Sequence, residues 1–284
     1  MRQLVQRPKS ALQRQLLRTL LVCTALYLLV CAGCASYQRR FIYLPPVFTS
    51  QQVNEYAKAG GLERWASPAG KPIGWKRLSP NQPAQGHTHG NAGCAFQCAH
   101  YADVIQQVAA LDVFMAEYPG YADRPGKPTE LTLDASAEEA FQLLLPKGRV
   151  YLIGESLGTG VAAYLAGRYP DKTAGVALLA PYNRLADVAQ AHMPFVPVHL
   201  LLRDRFPAED YLRTYHGPVA MVVAVHDTVI PEVFGHRLYS RYAGPKKLWD
   251  IPEGDHGVVM NQPTEFWQQI VAFWQSGTPF GGHD

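Results

Sequence analysis

No acidic residue precedes Glu55 in this 284-residue chain, and beyond the leader there is no excess of charge of either sign. Five of the basic residues, Arg2, Arg7, Lys9, Arg14 and Arg18, stand before the first apolar run, so the formal net charge of +3 belongs to the leader and the rest is close to neutral. With no Lys/Arg stripe in the body, nucleic acid is excluded as a partner. Cysteine is scarce as well. Of five, Cys23, Cys31 and Cys34 lie in or beside the leader, which leaves Cys94 and Cys98, too few for a disulfide scaffold. Their spacing of four puts both on one helical face, where a bridge is awkward, and free thiols are expected. Internal repeats and low-complexity tracts are also missing, which leaves one globular domain as the expected organisation.

The leader has the layout of a secretory signal: basic residues, an apolar run over residues 20–30, then the small-residue stretch Cys31-Ala32-Gly33-Cys34. It resembles a bacterial lipoprotein signal, in which the cysteine after two small residues is lipidated and becomes the mature N-terminus. By that resemblance Cys34 is the lipidation site, although Cys31 stands where the pattern usually has leucine. The alternative is an uncleaved membrane helix over residues 16–32 with positive charge on its inner side. Both readings place the body at the bacterial cell envelope, outside the cytoplasm and tethered to the membrane. The expected organisation is a signal or anchor over 1–33, a tether over 34–40 and a catalytic domain over 41–284.

Within that domain, apolar runs alternate with helical patterns, as in an α/β protein built from parallel βα units. Strands are expected over residues 111–118, 149–154, 174–180, 219–225 and 247–251, and helices over 135–145, 158–169 and 263–274. Residues 181–216 exceed a simple crossover and are rich in Pro, Arg and apolar side chains; they form either a lid or a decorated crossover.

The chemistry concentrates at Gly154-Glu155-Ser156-Leu157-Gly158. A nucleophile on a strained strand-to-helix turn needs neighbours without side chains, which Gly154 and Gly158 supply. A bare Gly-x-Ser-x-Gly is a weak signal, and an apolar strand before it with a helix after it makes it a strong one. Serine needs a base, and the base needs an orienting acid. Asp227 follows the strand at 219–225, and His256 follows the last strand in a glycine-flanked loop. The order Ser, Asp, His after successive strands brings all three to one sheet edge. Asp255 would have to double back to reach the neighbouring imidazole and is the weaker choice of acid. An oxyanion hole would draw on the N–H of Leu157 and on a second backbone donor, Asn91, in His89-Gly90-Asn91-Ala92-Gly93. His89 reads as a structural residue of that loop. His87, His89, Cys94, Cys98 and His100 form a local cluster, but their spacing fits no compact zinc pattern, and no metal is expected.

These blocks, with Tyr118-Pro119-Gly120-Tyr121, Gly126-Lys127-Pro128, residues 200–206 and 227–231, resemble in content and order the serine-aminopeptidase-like and palmitoyl-protein-thioesterase-like branch of the α/β-hydrolase superfamily, over about residues 41–274. The resemblance implies an α/β-hydrolase fold, a mostly parallel central sheet with helices on both faces, and hydrolysis of a carboxylic ester, thioester or amide without a cofactor. An ester of short to medium acyl chain leads; thioester or peptide follows. A lipid-derived substrate fits the tether beside a Leu-rich lid. One departure stands out: residues 81–88 lack the apolar run that leads into the family's His-Gly loop, so either that strand is very short or the oxyanion loop is displaced. In the second case activity would be weak. The alternative of another class is a non-catalytic binding module of the envelope, which the polar stretch favours and the intact Ser156, Asp227 and His256 oppose.

Overall fold

The computed structural model describes residues 11–79 and 93–276, with the backbone alone for residues 84–88. Its eight strands are β1 (Glu63–Ala66), β2 (Pro72–Arg77), β3 (Ala84–Thr88), β4 (Asp112–Ala116), β5 (Val150–Glu155), β6 (Thr173–Leu179), β7 (Val219–Ala224) and β8 (Lys246–Ile251). They form one sheet in the order β1-β2-β4-β3-β5-β6-β7-β8. β1 and β2 are antiparallel to their neighbours, and every pairing from β4 to β8 is parallel. β6 and β7 are buried at every position, which is why they read in the sequence as unbroken apolar runs. Gly74 in β2 lies so close to β4 that a Cβ would meet the Met115 carbonyl oxygen at 2.0 Å.

The helices are α1 (Ala11–Ile42), α2 (Ser50–Ala59), α3 (Ala99–Val108), α4 (Glu130–Leu144), α5 (Leu157–Arg168), α6 (Leu185–His192), α7 (Val198–Leu201), α8 (Ala208–Tyr211), α9 (Glu232–Arg241) and α10 (Thr264–Ser276). The chain steps from β3 outward to β4 through α3, then back past β3 to β5 through α4. Right-handed crossovers therefore put α3 on one face and α4, α5 and α9 on the other, and α10 returns to pack against α3. α4 starts earlier than its apolar pattern because Thr129 caps it: the Thr129 hydroxyl accepts from Thr132 N–H at 3.0 Å.

Two expectations change. The tether expected over 34–40 is helical, because α1 runs unbroken through Cys34 to Ile42 and docks its end on the body. The polar stretch before the His-Gly loop contains a strand that is not very short: it has five residues, as many as β4, and is paired on both sides, while the loop after it lies outside the described residues. β1 and β2 went unrecognised in the sequence. The 181–216 segment divides: α6 stands over Ser156 at the C-terminal edge of the sheet and packs on α7, while α8 packs on α5 as part of the crossover.

Candidate active site

β5 runs into Ser156, where the backbone turns at φ 49° and ψ −119° before α5 begins. A non-glycine residue with positive φ is strained, and the surroundings hold it there. Ser156 N–H donates to Leu179 O of β6 at 2.9 Å, and the Thr159 hydroxyl donates to Ser156 O at 2.7 Å. A Cβ on Gly154 would meet the Gly158 carbonyl oxygen at 2.4 Å, so strand and helix can approach this closely only with glycine there.

Ser156 Oγ lies 3.1 Å from His256 Nε2, and His256 Nδ1 lies 2.7 Å from Asp227 Oδ2. Asp227 is buried, and its other oxygen accepts from Val229 N–H at 2.8 Å and Ile230 N–H at 2.7 Å. The loops bearing the aspartate and the histidine are laced together: His226 N–H donates to Gly254 O at 3.0 Å and Val225 N–H to Ile251 O at 3.2 Å. A carboxylate on Nδ1 favours the tautomer with the proton there, which leaves the Nε2 lone pair facing the serine hydroxyl. Asp255 spends its carboxylate on Gly257 and Val258 N–H, at 3.0 and 3.1 Å, forming its own turn.

Leu157 is the first residue of α5, and N–H groups in a helix's first turn have no intrahelical acceptor. Asn91 and His89 lie outside the described residues. β3 ends at Thr88 opposite Gly154, so the chain leaves that strand at the edge where the Ser156 turn stands. His87 is placed only as backbone. Among the described residues no three His, Cys, Asp or Glu side chains form a group that could hold a metal. Cys94 and Cys98 are buried free thiols. Burial pushes Cys94 up to about 12 and Cys98 well above its ordinary value, which works against a metal-binding thiolate.

A cavity of about 230 Å³ opens at Ser156. Its walls are apolar side chains of α6 and the Asp227 loop, among them Leu185, Val188, Met193, Val229 and Ile230. Tyr182 crosses its floor with its hydroxyl donated to Leu157 O at 3.2 Å, and burial holds the phenol protonated. The remaining wall comes from α1, through Cys34, Gln38, Phe41 and Ile42. The sequence reading missed this wall because it ended the apolar helix at Ala32. The signal was there: positions 34, 38, 41 and 42 continue a helical face past the small-residue stretch.

A twisted, mostly parallel sheet with a serine on a strand-to-helix turn, met at the same edge by an aspartate and a histidine from later loops, is the architecture of the α/β hydrolases. The chain belongs to that family: the model described as alpha/beta hydrolase fold matches residues 66–214. Uncharacterized protein Rv2307c of Mycobacterium tuberculosis is 31% identical over 237 residues, covering 80% of this chain and 82% of that protein. Lysophosphatidylserine lipase ABHD12 of Danio rerio is 28% identical over 210 residues, covering 65% of this chain and 54% of the lipase. Among solved structures, the Paleococcus ferrophilus monoacylglycerol lipase superposes with a TM-score of 0.56 at 19% identity, covering 76% of this chain and 99% of that one, a likeness of fold.

Proposed function

We propose that the protein is a membrane-anchored serine hydrolase that cleaves a carboxylic ester through an acyl-enzyme at Ser156. The observation that carries this reading is the relay from Ser156 to His256 to Asp227, at 3.1 and 2.7 Å, on a strained turn. In the first half-reaction Ser156 Oγ attacks the ester carbonyl carbon while its proton passes to His256 Nε2. The oxyanion is met by Leu157 N–H, with the loop of Asn91 as the source of the second donor. Collapse expels the alcohol, which takes the proton from Nε2. Water then attacks the acyl-enzyme, His256 again accepts and returns a proton, and the carboxylic acid leaves with Ser156 restored. Asp227 stays ionised throughout and stabilises the imidazolium. No cofactor enters these steps.

The apolar walls favour an acyl group over a peptide: among the described residues the cavity lining contains no carboxylate to hold an α-ammonium group. The relative that hydrolyses a lysophospholipid and the lipase of similar fold support the same choice.

The test is labelling of the full chain in detergent with a fluorophosphonate probe. Wild type is expected to label and Ser156→Ala not to. A well-folded wild type that does not label would instead leave a binding module on a hydrolase fold.

The anchor reading places α1 in the cytoplasmic membrane with the body on its outer side. The described chain has one helix long and apolar enough to cross a bilayer, and five basic residues precede its apolar run. Because α1 continues through Cys34 into contact with the body, we favour a retained helix over cleavage before a lipidated Cys34. The intact mass of membrane-extracted protein is then expected to include residues N-terminal to Cys34. A mass beginning at Cys34 with added acyl groups would restore the lipoprotein reading.

A further inference from the structure

The outer end of α1 is joined to the body through polar contacts, and one of its faces looks into the cavity at Ser156. Gln38 is buried; its amide donates to Leu201 O at 3.1 Å and its carbonyl accepts from Arg203 N–H at 2.7 Å. Arg39 makes a two-pronged pair with buried Asp204, at 2.8 and 3.1 Å. These contacts fix the rotation of the helix. With that rotation Cys34, Gln38, Phe41 and Ile42, spaced i, i+4, i+7 and i+8, form one stripe lining the cavity.

The same helix locates the cavity relative to a bilayer. No charged residue falls between Arg18 and Arg39, a stretch of 20 residues. That matches the roughly 20 helical residues that cross a hydrocarbon core of about 30 Å. The stripe from Cys34 to Ile42 therefore stands at the outer boundary of the core, with Arg39 and Arg40 at headgroup level. The cap formed by α6, α7 and the segment between them lies along the same helix, since Tyr27 hydroxyl donates to Phe195 O at 3.1 Å. Tyr27 falls within the same 20-residue stretch, so the tip of the cap at Phe195 dips into the core. Phe195 and Leu200 are 86% and 82% exposed, a cost in water and a gain beside lipid. The cavity exceeds the roughly 150 Å³ apolar cavity that takes up benzene, so several methylenes fit.

We propose that the outer end of α1 is a wall of the acyl site, and that the substrate is a membrane-resident long-chain ester whose acyl chain passes from the bilayer into the cavity between α1 and α6. This rests on the serine-hydrolase reading and adds to it the substrate class and the residues that select it. The cap and the helix together form a passage whose outer surfaces are lipid-facing, so an acyl chain reaches Ser156 without crossing water. Cys34 and Ile42 set the depth available to the chain.

The test measures the full chain in nanodiscs against p-nitrophenyl butyrate and p-nitrophenyl dodecanoate. Cys34→Phe fills the stripe and is expected to lower the dodecanoate-to-butyrate ratio of kcat/KM at least about tenfold. Ile42→Ala widens it and is expected to raise that ratio, which keeps the test decisive if the larger side chain disturbs folding. Leu29→Trp, on an exposed part of α1, is expected to leave the ratio within about twofold of wild type. Equal changes for both esters in the two stripe variants, or no change, would overturn the proposal. Failure of wild type to label with fluorophosphonate would count against the hydrolase reading itself, so the two failures are distinct.

Discussion

Ser156→Ala is expected to lower kcat for the best ester about 10⁵- to 10⁶-fold, and His256→Ala to lower it by a similar factor, because neither group acts without the other. The double variant should be scarcely worse than either single one. Asp227→Asn keeps the hydrogen-bond geometry but favours the wrong imidazole tautomer, and a loss of about 10⁴-fold is expected. Asp255→Asn separates the two candidate acids. Its carboxylate turns back on Gly257 and Val258 N–H, so the substitution should change kcat by less than about threefold, a transition-state difference under ~1 kcal/mol. Steady-state kinetics on the five variants, with thermal unfolding to confirm that each is folded, decide this. If Asp255→Asn cost as much as Asp227→Asn, the 2.7 Å contact between His256 and Asp227 would not be the working one.

The elements easiest to read in the sequence are those whose burial leaves a one-dimensional trace. β5, β6 and β7 lie inside a parallel sheet, and two-sided burial leaves almost nothing but apolar residues along them. The turn at Ser156 is legible because strand and helix converge on it, and steric exclusion writes Gly154 into the chain. Asp227 and His256 are legible only through that frame: each is a polar residue just past a strand end, with nothing local to mark it.

What went unread follows from the same physics. β1 is short and buries only Trp65, so it carries no apolar run, and β3 is held in the sheet by its ladders to β4 and β5 rather than by an apolar sequence. The start of α4 depends on a hydroxyl cap at Thr129, and its first turn is polar. α1 changes its surroundings along its length: the run over residues 20–30 is apolar and exposed, while its C-terminal end is amphipathic against the body. A reading that looks for a single apolar run stops at the change of environment and loses the part that lines the cavity.

Asp134→Asn is expected to stabilise the protein at neutral pH. Asp134 sits on α4, buried, with one carboxylate oxygen lacking a hydrogen-bond partner among the described residues. Burial, reinforced by Glu130 and Glu138, raises it to about 8. The group is therefore protonated in the folded chain and ionised in the unfolded chain between about pH 4 and pH 8. Across that window the folded state holds the extra proton, so stability falls as pH rises. Asparagine cannot ionise and escapes this penalty. The variant should gain on the order of 3 kcal/mol over wild type near pH 7, with the gap closing toward pH 4. Thermal unfolding in detergent at a series of pH values reads both the gain and its slope; a variant no more stable than wild type at pH 7 would mean that Asp134 is ionised and satisfied there. The location gives the charge a further consequence. One turn earlier on the same helix, Glu130 accepts from Arg205 N–H at 2.6 Å, Phe206 N–H at 2.9 Å and Tyr211 hydroxyl at 2.7 Å, which ties the returning end of the cap segment to α4. A second negative charge at i+4 repels the first. Raising the pH through the titration of Asp134 should thus lower stability first where the segment over the Ser156 cavity is fastened, so the gain from Asp134→Asn should also appear as slower hydrogen exchange at Arg205 and Phe206.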